Sequence, residues 1–275
     1  MSRTRTAMVA AASTVAAVGV VLVAAREFLK NQAALARRRI GKPLGEAAPD
    51  ADRVWRSAYE GKPLRLLILG DSTAAGLGAE RRKDVLGARI ARGLGRRLRR
   101  PVRLRTAAVV GSESSALDAQ LDSLPERYRP DVAIIVVGGN DVTHRVPRHV
   151  SVQHLERAIE RLRDRGVPVV VGTCPDLGAL RPVPQPLRSV ASRWSRQLAA
   201  AQAEAAERLG AQVVSLRRTV GPLFLEQPDE MFSLDRFHPS ALGYRRTAEA
   251  FLPAVLAALG IEDTPPAPSS PLPPV

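Results

Sequence analysis

Four short stretches of this 275-residue chain carry side chains from which acyl-transfer chemistry could be assembled: Gly70-Asp71-Ser72, Gly111-Ser112, Gly138-Gly139-Asn140-Asp141 and Asp235-Arg236-Phe237-His238. A serine hydroxyl is a weak nucleophile until a base takes its proton, and a neutral imidazole is suited to that task near neutrality. His238 is the candidate base for Ser72. Asp235, three positions earlier, can bend back to the other ring nitrogen, fix the tautomer and stabilise the imidazolium that forms. The tetrahedral intermediate then needs donors for its oxyanion, and the backbone N–H groups of Ser72 and Gly111 with the side-chain amide of Asn140 would serve. Gly111, Gly138 and Gly139 keep Cβ atoms away from backbone that must approach substrate. Asp71 and Asp141 read as residues that position these loops. The competing readings are a helix N-cap for Ser72 and a turn former for Asn140.

Such a set works only if the elements between the stretches bring them to one place. Leu64 to Leu69 is an apolar run of strand length that breaks into small and polar residues, which puts Ser72 at the carboxyl end of a buried strand. Val102 to Val110 starts with alternation, Val102 and Leu104 against Arg103 and Arg105, and alternation suits a strand at the sheet edge. Val132 to Val137 and Val167 to Val171 are continuous β-branched runs expected to be central strands, and Gln212 to Leu216 offers a fifth. Helical periodicity is expected over Asp84 to Arg100, Ala116 to Leu124, Ser151 to Arg165, Leu187 to Leu209 and Pro239 to Leu259. Strands alternating with helices imply a parallel sheet with helices on both faces, whose strands all end at one rim. Ser72, Gly111 and Asn140 would then share that rim.

The four blocks, in this order, resemble the SGNH, or GDSL-type, hydrolase family over roughly residues 64 to 259. Gly70-Asp71-Ser72 is similar to its first block, Gly111 to its second, Gly138-Gly139-Asn140-Asp141 to its third and Asp235 to His238 to its last. Thr73 departs from the Leu that many members carry after the nucleophile. The resemblance implies an α/β fold, a flavodoxin-like three-layer sandwich with a five-stranded parallel sheet of order 2-1-3-4-5. It also implies hydrolysis of carboxylic esters through an acyl-enzyme, with Ser72, Asp235 and His238 catalytic and with no cofactor or metal. The substrates expected are short-chain acyl esters, lysophospholipids or acetylated sugars. The alternative is a binding protein on the same scaffold that holds the cell envelope or polyanions through its basic helix, although such a protein has no need of all four active-site groups.

Composition narrows the remaining classes. The formal charge is +14, yet among 41 basic residues only Lys30, Lys42, Lys62 and Lys83 are lysines, and aromatic residues make up 4%. Without stacking aromatics among the basic side chains, nucleic acid is not an expected partner. Neither GxxxxGK[ST] nor GxGxxG can be read at Gly76 and Gly78. His144, His149 and His154 recur every five residues, off the i, i+4 spacing of helical zinc ligands. Cys174 has no partner for a disulfide and is expected to be a small buried residue. Ala7 to Ala25 contains no charge and is long enough to cross a bilayer, so residues 1–30 are expected to be a membrane anchor or an export signal. The orientation stays open. Basic residues number two before the segment, Arg3 and Arg5, and six after it, Arg26, Lys30, Arg37, Arg38, Arg39 and Lys42, which favours an inside location, whereas cleavage after Val23-Ala24-Ala25 would favour export. Residues 31–62 are expected to be a linker, 63–262 the hydrolase domain and 263–275 a disordered Pro-rich tail.

Overall fold

The computed structural model describes residues 2–43 and 45–262, with side chains from residue 19 onward. The expected tail lies outside the described residues. In chain order the elements are helix α1 (Ser2–Ile40), strands β1 (Val54–Trp55) and β2 (Leu64–Gly70), helices α2 (Ser72–Ala75) and α3 (Leu86–Leu98) and strand β3 (Val102–Thr106). There follow α4 (Leu117–Asp122), β4 (Val132–Val136), α5 (Gly139–His144), α6 (Arg148–Arg163), β5 (Val169–Gly172), α7 (Leu187–Arg208) and β6 (Gln212–Val214). The short helices α8 (Leu216–Thr219), α9 (Gly221–Glu226) and α10 (Pro228–Met231) lead into α11 (Ala241–Ala258).

The sheet order is β1-β3-β2-β4-β5-β6, and the five strands from β3 to β6 pair in parallel. Counted among themselves, those five follow the order 2-1-3-4-5. One expectation is corrected at the margin of the sheet: it has six strands, because β1 pairs antiparallel with β3 and covers the edge that β3 was expected to form. The residues responsible lie in the expected linker. Asp52 accepts the Thr106 N–H at 2.8 and 3.0 Å through its two oxygens, Leu104 N–H donates to the Arg53 carbonyl at 3.0 Å, and the Trp55 indole donates to the Ala51 carbonyl at 3.0 Å. β3 itself ends at Thr106, four residues before the end of the expected strand.

Alternate residues of the central strands feed two separate cores, as the two-residue period of a strand requires. Leu66, Ile68, Ile134 and Val136 pack with Leu86, Ile90 and Leu94 of α3 and with Tyr244, Phe251 and Val255 of α11. Leu67, Leu69, Ala133 and Ile135 pack with Leu117 and Leu121 of α4, Leu155 and Ile159 of α6 and Ala206 of α7. These are the two outer layers of a three-layer α/β sandwich. On α3 the arginines stand outside this packing, and Arg81 and Arg89 each reach Asp84 at 2.7 Å.

Among the described residues no helix is long and apolar enough to cross a membrane. The uncharged stretch at 7–25 falls largely on positions whose side chains lie outside the described ones. Farther along the same helix, Val20 to Val23 are 63–69% exposed.

Candidate active site

β2 lies between β3 and β4; the chain leaves β2 for β3 on one side and leaves β4 for β5 on the other, which makes the carboxyl ends of β2 and β4 the crevice where such sheets bind ligands. Gly70, its last residue, has φ +132°, and a Cβ there would lie 1.8 Å from the Val136 carbonyl oxygen. Only glycine lets the chain cross β4 this closely. Asp71 then caps α2, its Oδ1 accepting the Thr73 N–H at 2.9 Å. The capping role therefore belongs to Asp71, and Ser72 is left in the first turn with its hydroxyl available.

That hydroxyl stands 2.9 Å from Nε2 of His238. Nδ1 of the same ring lies 2.6 Å from Oδ2 of Asp235. The other oxygen, Oδ1, accepts from Ser233 Oγ at 2.8 Å and from the backbone N–H groups of Phe237 and His238 at 2.9 Å each. Burial pushes the Asp235 carboxyl up, but the hydrogen bond from His238 and the backbone donors outweigh it and hold the group at about 2. A carboxylate so held keeps its charge opposite the imidazole across the range in which a histidine can act as base. The loop closes on itself, with Ser233 N–H donating to the His238 carbonyl at 2.8 Å and the Phe237 ring meeting the imidazole edge-on at 4.8 Å.

The oxyanion-hole candidates come to the same cleft. Beyond β3 the ladder continues through Ala107 N–H to the Ile68 carbonyl and Val109 N–H to the Gly70 carbonyl, at 2.8 and 3.1 Å, which carries Gly111 alongside Ser72. Neither the Ser72 nor the Gly111 N–H has a partner among the described residues. Asn140, in the first turn of α5, donates one amide hydrogen to the Ser112 carbonyl at 2.8 Å, which leaves its second hydrogen for a ligand. Asp141 is buried beside it and accepts the Ser114 N–H at 3.2 and 3.1 Å through its two oxygens, tying the Gly111 loop to α5. Gly139 lies over Asp71, with 3.8 Å between its Cβ direction and Oδ2. Burial drives the Asp71 carboxyl up to about 6, against the opposing pull of the Thr73 N–H and the charge of His238.

Several supports of this arrangement carried no signal that sequence reasoning could use. Gln120 clamps the end of β2 from the α4 side, accepting the Gly70 N–H and donating to the Gly70 carbonyl, both at 2.8 Å. Gln202 does the same at the end of β4 and β5, accepting the Cys174 N–H at 2.7 Å and donating to the Val137 carbonyl at 3.0 Å. Both read as polar residues on amphipathic helices, and only tertiary packing buries them. Gly78, which belongs to no phosphate-binding motif, sits beside the base: φ is +106°, and a Cβ would lie 2.4 Å from the Pro239 carbonyl oxygen and 2.9 Å from His238 Cβ. Among the other candidates, Cys174 is 1% exposed and its thiol is pushed well up by burial. His144 pairs with Glu113 at 2.7 Å and His149 is exposed.

Residues 68–246 match the model of the GDSL-like lipase/acylhydrolase family. A GDSL-like esterase of Mycobacterium tuberculosis is 39% identical over 271 residues, a match covering 94% of this chain and 85% of that one. Among solved structures, a psychrotrophic esterase from Pseudoalteromonas sp., inhibited by monoethylphosphonate, has a TM-score of 0.57 at 17% identity, covering 72% of this chain and 99% of its own. An acetyl-xylooligosaccharide esterase from Geobacillus, in mutant form, has a TM-score of 0.59 at 18% identity over 74% and 98% of the two chains. At these identities the structures establish a shared fold.

Proposed function

Because the chain belongs to the GDSL-like lipase/acylhydrolase family and is a carboxylic ester hydrolase, we propose that it works through an acyl-enzyme on Ser72, with His238 as general base and acid and Asp235 as its orienting carboxylate. The observation that carries this reading is the unbroken relay from Ser72 Oγ to His238 Nε2 at 2.9 Å and from His238 Nδ1 to Asp235 Oδ2 at 2.6 Å. Ser72 Oγ attacks the ester carbonyl while His238 takes its proton, and the N–H groups of Ser72 and Gly111 with the Asn140 amide receive the oxyanion. As the intermediate collapses, the C–O bond to the alcohol breaks and His238 returns the proton to the leaving oxygen. Water, deprotonated by the same imidazole, then attacks the acyl-serine, the bond between the acyl carbon and Ser72 Oγ breaks, His238 returns the proton to Oγ, and the acid is released. Asp71, Gly139 and Asp141 are positioning residues in this scheme: Asp71 caps the nucleophile turn, Gly139 packs over it, and Asp141 fixes the Gly111 loop.

Asn140 separates this mechanism from a merely structural role for its loop. A donor that acts on developing charge matters for kcat more than for KM, so Asn140→Ala should lower kcat by about a hundredfold or more with KM little changed. A fall in melting temperature large enough to explain the lost rate, or a large rise in KM with kcat preserved, would overturn the assignment.

The proposal extends to the chain's limits and its place in the cell. The hydrolase unit, read from sequence as 63–262, takes in Ala51 to Trp55 as well, because these residues pair with β3 or bond to residues that do. The uncharged segment Ala7 to Ala25 anchors the chain to a membrane or directs its export to the cell envelope, a reading supported by the exposed apolar surface at Val20 to Val23. Recovery of the intact full chain in the soluble cytoplasmic fraction would contradict it.

A further inference from the structure

The cleft at Ser72 has two arms of unequal size. One, of about 80 Å³, leads from Ser72 and Asn140 between Leu216, Val220, Phe224 and Phe232. The other, of about 590 Å³, contains Ser72, Gly111, Asn140 and also His238. The second falls in the size range of small-molecule sites, while the first has room for only a few heavy atoms. The proton has to pass from His238 to the leaving oxygen, so the alcohol part of an ester must lie on the side where His238 is exposed. That side is the larger arm. The acyl part is left with the smaller, mostly apolar one.

The outer wall of the larger arm comes from outside the matched family region, which begins at residue 68. It is the last turns of α1: Ala33, Ala36, Arg37 and Ile40 line the arm, and Lys42 follows. This wall is pinned to the hydrolase unit. Gln32 Nε2 donates to the Gln185 carbonyl at 2.5 Å and its Oε1 accepts the Leu187 N–H at 3.0 Å, while Ala36 is buried in a cluster with Val142, Leu177 and Leu180. The charges along the arm are unequal. Lys42 is matched by Glu46, and His144 by Glu113. Arg37 and Arg145 are exposed and, among the described residues, have no carboxylate within ion-pair distance.

We propose that residues 33–42 of α1 form the leaving-group wall of the active site, and that the enzyme acts on short-chain acyl esters of bulky anionic alcohols whose negative charge lies against Arg37 and Arg145. This rests on the assignment of His238 and Ser72 above. Two guanidinium groups without carboxylate partners among the described residues, on a cleft with an apolar floor, complement an anion carried on a bulky apolar body, and Arg is suited to oxyanions such as sulfonate, phosphate or carboxylate.

The test uses the full chain and two acetyl esters that differ only in the alcohol: p-nitrophenyl acetate, compact and carrying no ionised group, and an acetylated pyrene trisulfonate, bulky and anionic. The ratio of kcat/KM for the second over the first should fall at least about tenfold when Arg37→Glu is combined with Arg145→Gln, and salt should reduce it in the wild type. Ala33→Phe, which narrows the wall without changing charge, should lower the same ratio. A ratio that both variants leave unchanged or raise overturns the proposal. On the acyl side, kcat/KM should drop by about tenfold or more from p-nitrophenyl acetate to the octanoate, and an equal or higher value for the octanoate overturns the assignment of the smaller arm. Hydrolysis of both acetates by Ser72→Ala at the wild-type rate would instead sink the catalytic reading, so the two failures are distinguishable.

Discussion

Replacing Asp71 with Asn should stabilise the protein in alkaline solution relative to acid, and the size of the effect follows from where the carboxyl sits. It is 5% exposed, and burial lifts it to about 6 from an ordinary 3.8. A shift of about two units, at roughly 1.36 kcal/mol each, is about 3 kcal/mol. The folded chain holds this proton more tightly than the unfolded chain, so the wild type is most favoured below pH 3.8 and loses that stability as pH rises through about 6. Asn does not titrate, and its side-chain oxygen can still accept the Thr73 N–H. Its amide hydrogens, where they are left without acceptors, cost about 1–3 kcal/mol, and that cost is the same at every pH. The melting-temperature difference between Asp71→Asn and wild type should therefore swing in the variant's favour by roughly 6–12 °C between about pH 4 and about pH 8 for a chain of this size. The same variant should lose kcat, because the Asp71 charge favours the imidazolium that forms on His238 during attack. Thermal melts across that pH range, with kcat from the same preparations, test both parts. A melting difference that does not vary with pH would refute the burial argument.

Two further substitutions probe the base. Ser233→Ala removes the 2.8 Å hydrogen bond to Asp235 Oδ1 and should lower kcat by about three- to tenfold, with KM and melting temperature little changed; kcat equal to wild type would show that Ser233 does not position the carboxylate. Gly78→Ala places a Cβ 2.4 Å from the Pro239 carbonyl oxygen and 2.9 Å from His238 Cβ, at a positive φ, so it should displace the His238 loop, cut kcat by about tenfold or more and destabilise by about 1–3 kcal/mol; wild-type kinetics would show that the loop yields freely.

Much of this architecture is legible in the sequence because it is local. The β-branched runs at Val132 to Val137 and Val167 to Val171 can be buried on both faces only in the interior of a sheet, and there they are found. Ser72, Gly111, Asn140 and His238 are legible because each follows a strand or precedes a helix, and parallel strands deliver their ends to one rim. What is not legible depends on distant partners. β1 is two residues long inside a stretch that reads as linker, and its strand character comes from pairing with β3. Gln120 and Gln202 carry the same periodicity as solvated helix residues, although they hold the strand ends from within. The cleft-lining role of α1 is not legible in the sequence, since Ala33 and Ala36 in an Ala-rich helix carry no mark of the surface they meet.

In this mechanism one serine, activated by one histidine, carries the acyl group. A serine-reactive phosphonate, followed by peptide mapping of the adduct and by kinetics of the folded variants, addresses it directly. A single adduct on Ser72 is expected, its formation greatly slowed in His238→Ala, with a fall in kcat on the order of a million for Ser72→Ala and an unaltered melt. A phosphonate adduct on another residue, or a folded Ser72→Ala protein that retains most of its ester hydrolysis, would contradict it.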